Sequence, residues 1–393
     1  MEKNAPLIAK WLDDAYFYES NYRPIPIQEY LVFDNMIYPA SDSSGFIKPT
    51  SGSDSLRQTQ QRPPRPRRSI QRSQHNDLSL PLVNAVVSLA NEAARAGHGT
   101  LIFSSSRAGC ERDALLVSRV LPSPEEVGKE AMEKRLDLMR ELAATSTGLD
   151  HVLESTVPLG VAFHRKYFST GAIRLLADST DAGMTVEERE LVSLAFETGT
   201  IKIIVATCTL AAGLNLPARR VILHGARMGS DIVGPAMLRQ MRGRAGRKGK
   251  DEVGETYLCC NKSDLEAVAE LMEADLPDVE SCLTTSGGRE FKRALLEVIT
   301  IKLATDLEAL EEYAERTFLS FSVDRFQLIN LIQEALQQLQ TDKLISVIGL
   351  AEYAPTSLGK AIVYSSFTPD DGLFIHKELK RALKGFVMDN EMH

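Results

Sequence analysis

Five short runs constrain the fold most: Thr100–Ser104 (TLIFS), Gly160–His164 (GVAFH), Ile201–Thr207 (IKIIVAT), Arg220–His224 (RVILH) and Glu255–Cys260 (ETYLCC). Most are continuously apolar and rich in β-branched residues. An alternating strand has one wet face. A strand that is apolar throughout has both faces covered, as in a parallel sheet flanked by helices. Helical patterns lie between the runs. Ser123-Pro124-Glu125-Glu126 orders a cap, a first-position proline and a third-position Glu, and Thr185-Val186-Glu187-Glu188 is a second capping box. Strands alternating with helices predict an open α/β domain over 81–275.

The flanks read differently. Residues 1–40 hold Trp11, Tyr16, Phe17, Tyr18, Tyr22, Tyr30, Phe33 and Tyr38, with Pro24 and Pro26 breaking any helix. They are expected to form a short helix and an extended arm. Residues 41–80 are rich in Ser, Gln, Arg and Pro and read as a flexible linker. Its basic run Arg62–Arg68 is a solvated loop or, alternatively, a nuclear-import or nucleic-acid patch. After 275 come three helical stretches, Glu290–Leu303, Thr305–Phe318 (capping box Thr305/Glu308) and Val323–Gln340, then β-prone pieces at 343–353. Three helices and a hairpin over 276–354 suggest a winged helix. Residues 355–393 close the chain.

With 45 basic and 53 acidic side chains the net charge is −8, so bulk charge does not attract polyanions, and any nucleic-acid contact must come from a local basic patch. The five cysteines form no C-x-x-C pair, which argues against zinc and for a reducing compartment. Cys208, Cys259 and Cys260 are expected to be buried. Met1–Tyr18 shows no apolar signal core, and no stretch approaches membrane-spanning length.

The local patch is at 239–250, which carries six basic side chains and no acidic one. Gly234-Pro235 opens a helix in which Met237, Leu238, Met241 and Ala245 are expected to face the core. Gln240, Gly243, Arg244 and Arg247 are expected on the opposite stripe. A guanidinium is permanently charged and grips phosphate through a planar fork. Arg242 is read as exposed added charge.

The pattern Gln240-x-x-Gly243-Arg244-x-Gly246-Arg247 resembles the last motif of superfamily-two helicases. Val205–Pro217 resembles the motif before it, and Thr100–Glu111 the strand and loop that open the second motor lobe. Together they are similar to the Ski-type branch, in its polymerase-theta-like and helicase-Q-type group, from Pro6 to His393. The resemblance implies an α/β, RecA-like parallel-sheet lobe, then the winged helix, then the start of a helical ratchet domain at 355–393. It implies ATP-dependent DNA unwinding in repair, in the nucleus. Arg244 and Arg247 would be arginine fingers on the γ-phosphate. Gln240, Gly243, Gly213 and Asn215 would face the nucleotide. Ser104, Ser105, Thr207, Thr209 and His164 would contact single-stranded DNA through its phosphates.

Two departures follow. No G-x-x-x-x-G-K-[ST] occurs, and Asp251-Glu252, the sole Asp-Glu pair, follows the arginine motif. The chain is therefore expected to be a fragment, from a truncated gene model or a degenerate paralogue, that hydrolyses no ATP alone. ATP and magnesium would need a first-lobe polypeptide as partner. The alternative is a catalytically dead nucleic-acid-binding or regulatory module. On the fragment reading, apolar groups at 6–40 and 355–393 should be more exposed than those of the sheet. Secondly, Arg165–Asp181 separates Phe163-His164 from Ala182-Gly183 where the family reads F-H-H-A-G, as a translated intron or a surface insertion would.

Overall fold

A computed structural model describes residues 4–20, 22–47, 64–123, 125–164, 184–208, 216–229, 231–349 and 351–390, with the side chains of 285–287 and 385–390 outside the description. The chain divides into two units, Asn21–Pro277 and Met1–Ser20 with Asp278–His393. After α1 (Asn4–Trp11) of the second unit, the first unit runs β1 (Ile27–Phe33), β2 (Met36–Pro39), β3 (Arg68–Ser69), α2 (Pro81–Arg95), β4 (Thr100–Ser104), α3 (Arg107–Ser118), α4 (Lys129–Ala143), α5 (His151–Thr156) and β5 (Val161–His164). It continues with α6 (Val186–Glu197), β6 (Ile203–Thr207), β7 (Arg220–His224), the hairpin β8 (Arg227–Met228) and β9 (Asp231–Ile232), α7 (Pro235–Arg242), β10 (Gly254–Cys259) and α8 (Leu265–Glu273).

The apolar runs became β10, β7, β4, β6 and β5, five consecutive strands ending at the β5 edge of an eight-stranded sheet in the order β3-β2-β1-β10-β7-β4-β6-β5. The six strands from β1 to β5 in that order are parallel, and β2 and β3 add antiparallel at one edge. Ile102, Phe103, Phe163, Ile203, Ile204 and Ile222 are wholly buried, as two-sided coverage requires. Cys208, Cys259 and Cys260 are buried too, and burial pushes the Cys208 thiol up to about 11.

Residues 1–40 and 41–80 divide otherwise than the arm-and-linker reading expected. Ile27–Val32 pair with Gly254–Cys259, and Leu31, Val32 and Ile37 are core residues. Arg67 and Arg68 turn onto the sheet. Arg68 donates to both Glu92 oxygens at 3.0 and 2.8 Å, and Arg67 lies 5.3 Å over the Tyr30 ring. Tyr30 stacks on Tyr257 at 4.9 Å, and buried Arg220 lies over the Tyr257 ring at 4.9 Å. Glu255 and Glu92 neutralise Arg220 at 2.6 and 3.1 Å. Residues 48–63, including Arg62 and Pro63, lie outside the described residues.

Helix starts follow local chemistry. The Thr185–Glu188 box forms, with Thr185 Oγ1 accepting from Glu188 N at 3.2 Å and Glu188 Oε2 from Thr185 N at 2.6 Å. The expected start at Ser123 does not; α4 begins at Lys129, after Gly128 at φ +85°.

The second unit holds α9 (Thr285–Thr300), α10 (Leu307–Arg316), α11 (Arg325–Thr341), the hairpin β11 (Ile345–Ile348) and β12 (Glu352–Pro355), α12 (Ser357–Tyr364) and α13 (Pro369–Asn390). Asp306, not Thr305, caps α10, accepting from Ala309 N at 2.9 Å; the Thr305 carbonyl is taken by Tyr353 N at 2.6 Å. Leu295, Ile299, Leu310, Ile332 and Leu339 form its core, which Ile362 of α12 joins. Of the apolar groups expected to stand out, Tyr16, Tyr18, Tyr22, Phe374, Leu379 and Leu383 are exposed, whereas Leu31, Ile37 and Ile362 are buried.

Candidate nucleotide and nucleic-acid sites

The arginine motif does not continue its helix. Pro235 sits at the first position of α7, Leu238 and Met241 are buried beneath it, and the helix stops at Arg242. Gly243 follows as cap. Ala245 then forms a single parallel bridge to Ala218, with Ala218 N donating to Arg244 O at 2.9 Å and Gly246 N to Ala218 O at 2.7 Å. Gly246, at φ +91°, allows the turn; a β-carbon there would lie 2.7 Å from Ile25. So Gln240 lies exposed on the helix, while Gly243, Arg244 and Arg247 lie on the loop after it, not on one helical stripe as the spacing predicts. Ala245 is buried by the bridge rather than by helical packing.

This loop is fixed at the amino-terminal edge of the sheet, beside the starts of β7 and β10. Arg247 is bound by Asp251: Nε donates to Oδ2 at 2.9 Å, a terminal nitrogen to Oδ1 at 3.0 Å, and the Arg247 amide to Oδ2 at 2.8 Å. Burial alone would raise the Asp251 carboxyl, but the hydrogen bonds and charge of Arg247 outweigh it and hold it below its ordinary value. Arg242 is not the exposed charge expected. It is half-buried and ion-paired to Glu29 on β1, with Nε donating to Oε1 at 2.7 Å. Arg244 is half-buried.

The residues expected on DNA gather at the opposite, carboxyl-terminal edge. Ser104 is in register with Thr207 and His224, and His164 with Ala206. Ligands of open α/β sheets bind outside this edge. Burial separates the set. Ser105 is exposed and Thr207 half-buried. Ser104 is buried, its carbonyl accepting from the Cys208 thiol at 3.8 Å. His164 is wholly buried, and neither ring nitrogen has a partner among the described residues. Burial, then the charge of Arg189, lowers it to about 4. Both side chains are thus buried at this edge, unlike Ser105 and Thr207. Thr209, Gly213 and Asn215 lie outside the described residues, as does 165–181.

Sequence reasoning missed one constellation at this edge. His224 Nδ1 meets Asp113 Oδ2 at 2.5 Å, with Asp113 buried on α3. The only sequence signal was a His ending an apolar strand. For a metal, the described residues offer no group of three His, Cys, Asp or Glu side chains able to hold an ion. The loop's donors are cationic and suit phosphate, not magnesium.

Residues 161–249 match the family described as helicase conserved C-terminal domain, 254–346 a helix-turn-helix domain, and 369–393 the helical domain of the DNA polymerase Q helicase-like region. The chain is 32% identical over 421 residues to DNA polymerase theta of Mus musculus, covering 99% of this chain and 15% of that protein. It is 27% identical over 396 residues to the human Helicase POLQ-like protein (96% and 32%) and 30% identical over 273 residues to the ATP-dependent DNA helicase Hel308 of Pyrobaculum calidifontis (68% and 31%). It thus spans a third or less of each of these relatives.

Proposed function

Because the chain is a superfamily-two helicase C-terminal lobe of the polymerase theta and Hel308 type, we propose that it supplies one wall of an ATP site and a surface for single-stranded DNA. Arg244 and Arg247 are the wall's charged groups, stabilising the negative charge that develops on the transferred phosphoryl oxygens. Gln240 and Gly243, with Gly213 and Asn215, line the nucleotide side. Magnesium, when bound, neutralises phosphate charge, and its ligands come from a first motor lobe outside these 393 residues. That lobe also brings the phosphate loop, so these 393 residues alone turn over no ATP. Ser105 and Thr207, with Thr209, hold DNA phosphates, and repair in the nucleus is the setting.

The observation that supports this reading best is the bridge from Ala245 to Ala218, which fixes a basic loop against the sheet instead of leaving it a solvated face. Single-stranded oligonucleotide binding, followed by anisotropy against salt, tests the DNA half. Affinity should fall steeply, with a log–log slope near −0.7 for each phosphate neutralised, and Thr207→Asp should weaken it. A flat salt response contradicts the reading.

A second reading, a catalytically silent nucleic-acid-binding or regulatory module, draws on the missing phosphate-loop motif. DNA binding by this chain together with no ATPase when a first-lobe polypeptide is added favours it.

A further inference from the structure

Arg247 has three side-chain nitrogens, and Asp251 takes Nε and Nη2. The remaining one, Nη1, lies beside Gly99, which the Phe196 ring covers: a β-carbon there would stand 3.1 Å from Phe196 and 3.6 Å from Nη1. A second cation approaches the same backbone. Lys202, just before β6, is tied to this edge by its carbonyl, which accepts from Thr100 N at 2.8 Å. Its ammonium donates to Gly97 O at 3.3 Å and lies 3.5 Å from where a Gly199 β-carbon would be. A β-carbon on Gly97 would meet nothing within 4 Å, so this ground is open.

The charges do not balance. Lys202 forms no ion pair with a carboxylate among the described residues, and Asp251 is committed to Arg247. Burial, then the charges of Arg247 and Arg135, hold the Lys202 ammonium below its ordinary value. Arg135 is buried and spends its donors on the Pro158 and Thr200 carbonyls at 2.8 and 3.2 Å. An ammonium beside the open backbone at Gly97 and Gly199, with the Arg247 guanidinium as neighbouring like charge, makes a place for an oxyanion.

We propose that Lys202 and Arg247 Nη1, beside the open backbone of Gly97 and Gly199, form a phosphate-binding site, with Lys202 a ligand that neither the arginine motif nor its spacing names. The site rests on the reading of Arg247 as a phosphate-facing group. A phosphate there belongs to a nucleotide or to a nucleic-acid backbone.

The test is titration of the whole chain with inorganic tripolyphosphate and, separately, with a single-stranded oligonucleotide. Lys202→Ala should weaken one of them by about tenfold, the size of a lost charge-assisted contact, and Lys202→Arg should restore most of it. Loss with tripolyphosphate assigns the site to a nucleotide; loss with the oligonucleotide alone assigns it to a strand backbone. Lys202→Ala that binds both probes as the parent does, with an unchanged melting temperature, overturns the proposal. If Arg247→Ala still weakens tripolyphosphate then, only the Lys202 assignment has failed. If neither substitution matters, the arginine reading fails with it.

Discussion

Asp251 holds Arg247 by both ends, accepting from its backbone amide at 2.8 Å and from its guanidinium at 2.9 and 3.0 Å. One carboxylate thus sets the backbone turn and the direction of the side chain together. Asp251→Ala should destabilise the first unit by about 1–3 kcal/mol, since it strands a half-buried amide and a charged group. The pH dependence has a definite sign. The Asp251 carboxyl is lowered in the fold, so its contribution is complete above the unfolded value of 3.8 and is lost as pH falls through the lower folded value. Melting curves of parent and variant should therefore converge in acid and differ most near neutrality.

His164 predicts an effect at milder pH. Its folded value of about 4 lies below the unfolded 6.5, so the unfolded chain binds the extra proton. Stability should fall as pH drops from about 6.5 toward 4, by about 2 kcal/mol between pH 7.5 and pH 5. His164→Leu removes the proton and should flatten that slope. A variant as acid-sensitive as the parent would exclude His164 as the cause.

Trp11 is the sole tryptophan. It stands edge-on to Phe318 at 5.4 Å and donates Nε1–H to the Arg316 carbonyl at 2.9 Å. Its fluorescence therefore reports on the second unit alone. Phe318→Ala should lower the midpoint of that signal, at a cost of about 1–2 kcal/mol, and leave the melting of the sheet unchanged.

Arg220 anchors the first unit's interior ladder. Arg220→Ala leaves Glu255 with only Arg219 as cation, at 3.5 Å, and Glu92 with only Arg68, and uncovers Tyr257. A loss of about 3–5 kcal/mol is expected, the cost of breaking a buried pair, measured by urea unfolding.

What was legible in the sequence was what depends on near neighbours. Two-sided burial writes itself as TLIFS and RVILH, so the parallel centre of the sheet could be read directly. β1 could not: its partner β10 lies more than 220 residues on, from Ile27 to Gly254, and its prolines imitate an arm. The end of α7 was missed because Met241 and Ala245 keep helical spacing, although Gly243 and Gly246 release the chain. The bridge to Ala218 is what buries Ala245. The arginines were found through a motif, but that Asp251 would occupy Arg247, or that burial would remove His164 and Ser104 from the surface, is written only in the packing.

The central claim is that Arg244 and Arg247 belong to an ATP site whose phosphate loop lies outside these 393 residues. ATP turnover by the purified 393-residue chain, with saturating single-stranded DNA and magnesium, tests it most directly. The account predicts release of phosphate at the buffer rate, unchanged by Arg244→Ala or Arg247→Ala. DNA-stimulated turnover that either substitution abolishes would contradict it.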